Sequence, residues 1–195
     1  RRSRRVSEMG FGCDELGSAI LAYSGRAFDD GACPSSSSKA VVQNRPGYAD
    51  TSYWESRFQE ADGLFDWYAT YKEIQGVFAD FCPASENPKV LMVGSGNSAL
   101  SADMHAGGYR NIVNIDISAT VVEKMATQFR DLGLEWRVMD ATAMDFEDGT
   151  FDVAVDKGTV DAMMHGSDIT GAEAMALCSE VWRTLRVGGL FVIVS

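Results

Sequence analysis

With 195 residues, 46% of them apolar and 23% charged, the chain has the composition of one folded domain with room for an appendage. No stretch approaches the roughly 18 apolar residues of a membrane-spanning helix. The net charge of −11 is unevenly spread, +1 over residues 1–50 and −12 over residues 51–195. An acidic body argues against nucleic acid as a partner and for a basic one, unless the charge serves solubility alone.

The chain opens Arg1-Arg2-Ser3-Arg4-Arg5 rather than with Met. Basic, serine-bearing N-termini occur in plastid and mitochondrial targeting segments and also in plain basic tails. The expectation is an intracellular protein, cytoplasmic or in such an organelle. Residues 1–50 carry Gly10, Gly12, Gly17, Gly25, Gly31, Pro34, four serines at 35–38 and Pro46-Gly47, with no sustained periodicity. They are expected to form an irregular arm or linker with one short helix over residues 14–23.

The domain proper is expected over residues 51–195. Ser52 is predicted to cap a helix over residues 53–61, with Glu55 at capping-box spacing. Phe65-Asp66-Trp67-Tyr68 leads into a second helix ending near residue 81, before Cys82-Pro83 and Asn87-Pro88 break the chain. Strands are then predicted at 89–93, 111–115, 134–139, 151–155 and 190–194, with helices at 98–106, 118–132, 159–164 and 171–185. Five apolar strands alternating with helices predict an α/β fold, a doubly wound parallel sheet covered on both faces and joined by right-handed crossovers.

The four cysteines, Cys13, Cys33, Cys82 and Cys178, form no C-x-x-C pair, and neither His105 nor His165 sits in a metal-ligand spacing. No metal site is expected, and scattered thiols fit a reducing compartment.

In a doubly wound sheet, ligands lie beyond the C-terminal ends of the strands. Gly94 and Gly96 fall there after the first strand, where the backbone must turn sharply and admit a ligand closely. Asp116 ends the second strand, twenty-two residues after Gly94, where a carboxylate can accept both hydroxyls of a ribose. Asp140 ends the third and Asp156 the fourth. Gly94-Ser95-Gly96-Asn97-Ser98-Ala99 satisfies the relaxed dinucleotide fingerprint, and on that pattern alone NAD and S-adenosylmethionine fit equally. The absence of Lys and Arg between Val90 and Tyr109 disfavours a pyrophosphate and favours S-adenosylmethionine.

Several strings together carry a resemblance: residues 53–58 (Tyr-Trp-Glu-Ser-Arg-Phe), 65–68, 93–98, 114–118, 138–142 and 151–161, the last containing Asp156-Lys157-Gly158-Thr159. They resemble the seven-β-strand, class I S-adenosylmethionine-dependent methyltransferases, notably the branch that methylates lysines of translation elongation factor one-alpha. The likeness runs from about residue 53 to the end. It implies that Gly94, Ser95 and Gly96 line the methionine part of S-adenosylmethionine, that Asp116 holds the ribose with Ile117 against the adenine, and that Asp140 and Ala141 reach the adenine edge. It places the catalytic candidates Asp156 and Lys157 at the methyl-transfer mouth. Trp54 and Arg57 would close the pocket, Arg57 near the cofactor carboxylate, and Tyr68 would shape the substrate channel. Trp54, Trp67 and Tyr68 equally suit an apolar helix-docking face, and Arg57 a surface ion pair.

Two departures stand out. The family carries Cys where Ser95 stands. Its sheet also continues with two strands that are lacking after the strand at 190–194, which would leave that strand as an unpaired apolar edge. The leading expectation is protein-lysine N-methylation, with an elongation factor as the protein substrate. A second reading keeps the domain as a structural subunit or assembly factor of a larger complex that covers the open edge.

Overall fold

The computed structural model describes the backbone of residues 19–23 and all of residues 50–164 and 171–195. Six strands form one sheet: β1 (Ala19–Tyr23), β2 (Lys89–Val93), β3 (Asn111–Asp116), β4 (Glu135–Val138), β5 (Phe151–Lys157) and β6 (Leu185–Val194). Every pairing is parallel, in the order β1-β6-β5-β2-β3-β4. The chain winds outward from β2 through β3 to β4, then returns to place β5 on the other flank of β2. The switch point of the sheet therefore lies between β2 and β5, where Val93 pairs with Ile115 on one side and with Asp156 on the other.

Side chains alternate across each strand, so the apolar runs supply two cores. Val90, Met92, Val153, Val155 and Val192 face Ile74 and Phe78 of α2 (Tyr71–Phe81) and Leu100 and Met104 of α3 (Leu100–Ala106). Leu91, Val93, Val113, Ile115, Ala154 and Phe191 face Leu177 and Val181 of α6 (Ala172–Thr184). A third cluster joins Phe58 of α1 (Thr51–Glu60) to Val121, Val122 and Met125 of α4 (Ala119–Gln128). The remaining helix, α5 (Thr159–Met164), follows β5 directly.

Residues 14–23 were expected to include a helix. The described part is strand β1, in register from Ala19 opposite Leu190 to Tyr23 opposite Val194. A row of free N–H and C=O groups on β6 offers the Ala-Ile-Leu-Ala-Tyr run a ladder that local helix preference cannot match. The same pairing corrects the expectation that the strand at 190–194 stands unpaired, because β1 lies along its outer edge. Residues 1–18 and 24–49 of the expected arm, with Cys13 and Cys33, lie outside the described residues, as does His165.

Capping also differs from expectation. Asp50, not Ser52, caps α1 by accepting from Ser52 N at 2.8 Å. Glu55 reaches across to α4 and accepts from Ala119 N at 2.6 Å. Lys124 of α4 in turn donates to the Phe58 carbonyl at 2.6 Å and the Ala61 carbonyl at 3.3 Å, at the C-terminal end of α1. The two helices thus cap one another's ends, negative charge at an N-terminus and positive at a C-terminus. This fixes α1 beside the open end of the sheet. Among the described residues, no helix is long and apolar enough to cross a membrane.

Candidate active site

At the C-terminal end of β2 the backbone enters the left-handed region at Gly94 (φ 59°) and Gly96 (φ 52°). Gly94 is held to glycine for a second reason. A Cβ there would lie 2.1 Å from Thr159 Oγ1, and that hydroxyl donates to the Val93 carbonyl at 3.1 Å. The loop is pinned on its other side by β3: Ser95 N donates to the Ile115 carbonyl at 2.9 Å, and Gly96 N to Asp116 Oδ2 at 2.8 Å. Asp116 Oδ1 accepts from Ser118 N at 3.0 Å, and Ser118 Oγ caps α4 by accepting from Val121 N. One buried carboxylate therefore joins the glycine loop to the start of the next helix. Burial raises its pKa to about 6, against the pull of those N–H donors.

A cleft enclosing about 1210 Å³, its open mouth included, runs along these strand ends. Of the sequence-predicted residues, Trp54, Gly94, Ser95, Gly96, Asp116, Ile117, Asp140, Ala141 and Lys157 line it. Asp140 folds back on its own turn, its Oδ1 accepting from Thr142 N at 2.8 Å and Thr142 Oγ1 at 2.7 Å.

Three predicted residues stand behind the wall. The Arg57 guanidinium lies over the ring of Trp67, 5.5 Å from its centroid, and Trp67 lines the cleft. Tyr68, at φ 63°, packs its ring against Gly158, where an added Cβ would approach Tyr68 Cε2 to 3.1 Å. Asp156 is fully buried at the end of β5. Its Oδ2 accepts from Val160 N at 3.1 Å, while its Oδ1 has no partner, and burial lifts its pKa to about 7. The Lys157 ammonium is engaged by Asp66 Oδ1 at 3.0 Å and the Trp67 carbonyl at 3.1 Å. Burial draws its pKa below the usual lysine range and Asp66 opposes that pull.

Sequence reasoning left Phe58, Phe65, Asn97, Ser98, Thr159 and Glu173 unassigned, yet all line the cleft. Phe58, Phe65, Asn97, Ser98 and Thr159 stand inside the strings already singled out, and for Asn97 and Ser98 adjacency to the glycine turn was a further signal. Glu173, at the start of α6, carried none. Among the described residues no three His, Cys, Asp or Glu side chains gather as metal ligands.

The raised carboxyls have a measurable consequence. The folded state holds protons on Asp156 and Asp116 more tightly than the unfolded chain, where the ordinary value is 3.8. Stability is thus undiminished below that value, falls as pH rises through the window up to about 7, and then levels. For Asp156 the swing is on the order of 4 kcal/mol. The expected result is that Asp156→Asn gains stability relative to the parent as pH rises across that window. Urea midpoints measured along it check this, and a pH-independent difference between the two proteins would refute it.

A parallel sheet with a glycine turn at its switch point and a carboxylate on the adjacent strand end defines a Rossmann-type cofactor-binding domain. The sequence profile of the methyltransferase domain matches residues 91–193, over half of the chain, and the chain belongs to that family. The family's cofactor is S-adenosylmethionine. The cleft fits it: Ser95 Oγ, in the cleft wall, is buried without a hydrogen-bond partner, a polar group that a bound zwitterion would satisfy.

The human "eEF1A lysine and N-terminal methyltransferase" is 39% identical over 152 residues, covering 76% of this chain and 22% of that protein. Its zebrafish (Danio rerio) counterpart is 40% identical over 151 residues, 76% of this chain and 21% of the relative. The chain thus spans about a fifth of the length of these relatives. Mouse (Mus musculus) "EEF1A lysine methyltransferase 4" is 33% identical over 156 residues, 74% of this chain and 60% of that protein. Among solved structures, a SAM-dependent methyltransferase from Methanosarcina mazei superposes with a TM-score of 0.52 at 23% identity, covering 66% of this chain and 57% of the other. The cyclase SpnF gives 0.50 at 22%, covering 67% and 47%. At such identities the likeness is one of fold, and a fold shared with a cyclase does not by itself name a reaction.

Proposed function

We propose that the chain is an S-adenosylmethionine-dependent protein-lysine N-methyltransferase whose substrate is translation elongation factor 1A. The observation that carries this reading is the 33–40% identity to proteins bearing that name, over 74–76% of the chain. The acidic body suits a basic protein partner.

When bound, S-adenosylmethionine supplies a methyl group on a positively charged sulfur, open to displacement by an amine. The chain's part is to bind, align and desolvate. We assign Gly94 and Gly96 to close backbone approach, and Ser95 Oγ to the methionine part. Asp116 keeps a lone pair on each oxygen beyond its two N–H partners, and we assign these to the ribose hydroxyls. Ile117, Asp140 and Ala141 take the adenine, Ile117 by its apolar surface and Asp140 by its second carboxylate oxygen. Trp54 covers the cleft from α1, and Arg57 acts through the Trp67 ring it stacks on. Asp156 lies one residue beyond Val155 and one before Lys157, both cleft-lining. When ionised, its buried, half-partnered carboxylate would favour the positive charge of a sulfonium and the charge that builds on a neutral lysine amine as the N–CH3 bond forms and the S–CH3 bond breaks. Tyr68 belongs to the substrate side, and Lys157 fixes the residues around it. No residue is required to act as a nucleophile.

The test is transfer of isotope-labelled methyl from S-adenosylmethionine to purified elongation factor 1A, with the modified lysine located by mass spectrometry. Label on a lysine, lost when that lysine is changed to arginine, is the expected result. Label on other proteins but never on the factor would overturn the substrate assignment. Cofactor binding with transfer to no protein would favour the structural-subunit reading instead.

A further inference from the structure

Residues 61–70, between α1 and α2, cross the mouth of the cleft without helix or strand of their own. Apolar burial holds only the C-terminal end of the segment, where Ala69 and Tyr68 pack on the core, whereas Leu64, Phe65 and Trp67 are 42%, 48% and 42% exposed. Polar contacts do. Asn97 Nδ2 donates to the Gly63 carbonyl at 2.8 Å, and Phe65 N donates back to the Asn97 carbonyl at 3.0 Å. Ser98 Oγ donates to Asp66 Oδ1, and the same oxygen receives the Lys157 ammonium at 3.0 Å. Lys157 also donates to the Trp67 carbonyl at 3.1 Å.

All these anchors stand on two elements, the cofactor loop after β2 and the end of β5. Asp66 is the residue that joins them, since one carboxylate oxygen meets Ser98 of the loop and Lys157 of the strand. Ser98 Oγ also accepts from Leu100 N at 3.0 Å, which ties the clasp to the first turn of α3. The ion pair is largely shielded, with side-chain exposures of 6% for Lys157 and 18% for Asp66. A pair so shielded, braced by hydrogen bonds, holds position better than an exposed one, and loss of the carboxylate strands a buried cation. Phe65 and Trp67 of the same segment line the cleft. The clasp thus sits between these two wall residues and fixes their place over the cleft.

We infer that Asp66 is the positioning residue of a strap that closes over the cofactor cleft, holding Phe65 and Trp67 as its wall and slowing cofactor exchange. This rests on the reading of the cleft as the S-adenosylmethionine site. From Ala61 to Trp67 the strap has little buried apolar surface to oppose its opening, so release of spent cofactor need not disturb the sheet.

The experiment is stopped-flow displacement of bound S-adenosylhomocysteine from the full chain, with melting temperature recorded for each variant. Asp66→Ala is expected to speed dissociation about tenfold, the loss of one charge-assisted contact. It should raise KM for S-adenosylmethionine by a similar factor while changing kcat less. Asp66→Asn, which retains an acceptor for Ser98, should fall between, and it serves as the readout should the alanine variant not fold. Asp66→Ala with Lys157→Met should be no worse than the worse single change, since both break one pair. Thr150→Ala, which removes the hydroxyl that donates to the Glu147 carbonyl at 2.6 Å, outside the strap and the cleft, should lower the melting temperature without altering dissociation. Unchanged dissociation in folded Asp66 variants, or an equal effect from Thr150→Ala, would overturn the inference. Failure of the parent chain to bind the cofactor would instead overturn the reading of the cleft.

Discussion

Asp116→Ala is expected to abolish measurable S-adenosylmethionine binding, a loss of at least about a hundredfold, or about 2.7 kcal/mol. The carboxylate is 7% exposed and its oxygens accept from Gly96 N and Ser118 N at 2.8 and 3.0 Å. Hydrogen bonds to a charged group contribute roughly 1.5–3 kcal/mol each, and a buried N–H left without its acceptor costs roughly 1–3 kcal/mol more. Alanine removes the contacts assigned to the ribose and also frees the loop that must receive the methionine part. The two losses fall on the same ligand. Asp116→Asn should be milder, since one oxygen stays and one N–H meets an amide nitrogen in place of an acceptor. Calorimetry on variants shown to be folded by circular dichroism decides the matter. Undiminished affinity in Asp116→Ala would remove the ribose role from this residue.

Gly94→Ala is the second large loss expected, and its cause is steric. The new Cβ would meet Thr159 Oγ1 at 2.1 Å, Cγ2 at 2.8 Å and Cβ at 2.9 Å, all closer than real carbon contacts. Thr159 cannot withdraw freely, because its hydroxyl holds the Val93 carbonyl and lies 3.4 Å from the Gly94 carbonyl. An L side chain at φ 59° adds a backbone cost of about 1–2 kcal/mol. Either the loop or the first turn of α5 must move, and both line the cleft. The affinity for S-adenosylmethionine should drop by about a hundredfold or more. The cause can be separated by compensation. Thr159→Gly added to Gly94→Ala removes all three contacts, at the cost of the hydrogen bond to the Val93 carbonyl, so binding should recover at least in part, and Thr159→Gly alone measures what the lost hydroxyl contributes. No recovery in a folded double variant would show that the contact with Thr159 is not what reserves this position for glycine.

Where the sequence was informative, the physics was local. The runs at 89–93, 111–116 and 151–157 are apolar enough for both faces of a sheet, and their partners are fixed by alternation with helices. Gly94, Gly96 and Asp116 were visible because backbone conformation and strand-end position each demand a residue type. What escaped depends on contacts between distant segments. The Ala19–Tyr23 strand exists by pairing with β6, some 170 residues away, and five apolar residues carry no sign of that partner. Glu55 reads as a local capping box yet caps α4, 64 residues on. Asp66 lies inside a string that was recognised, but its role needs Ser98 and Lys157 brought to it by the fold. Asp156 was placed at the mouth by its strand-end position, whereas β5 turns its carboxyl inward beneath Val160.

The central claim is that the cleft at the switch point binds S-adenosylmethionine, and isothermal titration of the purified chain tests it most directly. The predicted result is saturable micromolar binding, one cofactor per chain, competed by S-adenosylhomocysteine and indifferent to NAD. A folded chain that gives no heat with S-adenosylmethionine, or that binds NAD in its place, would contradict the account.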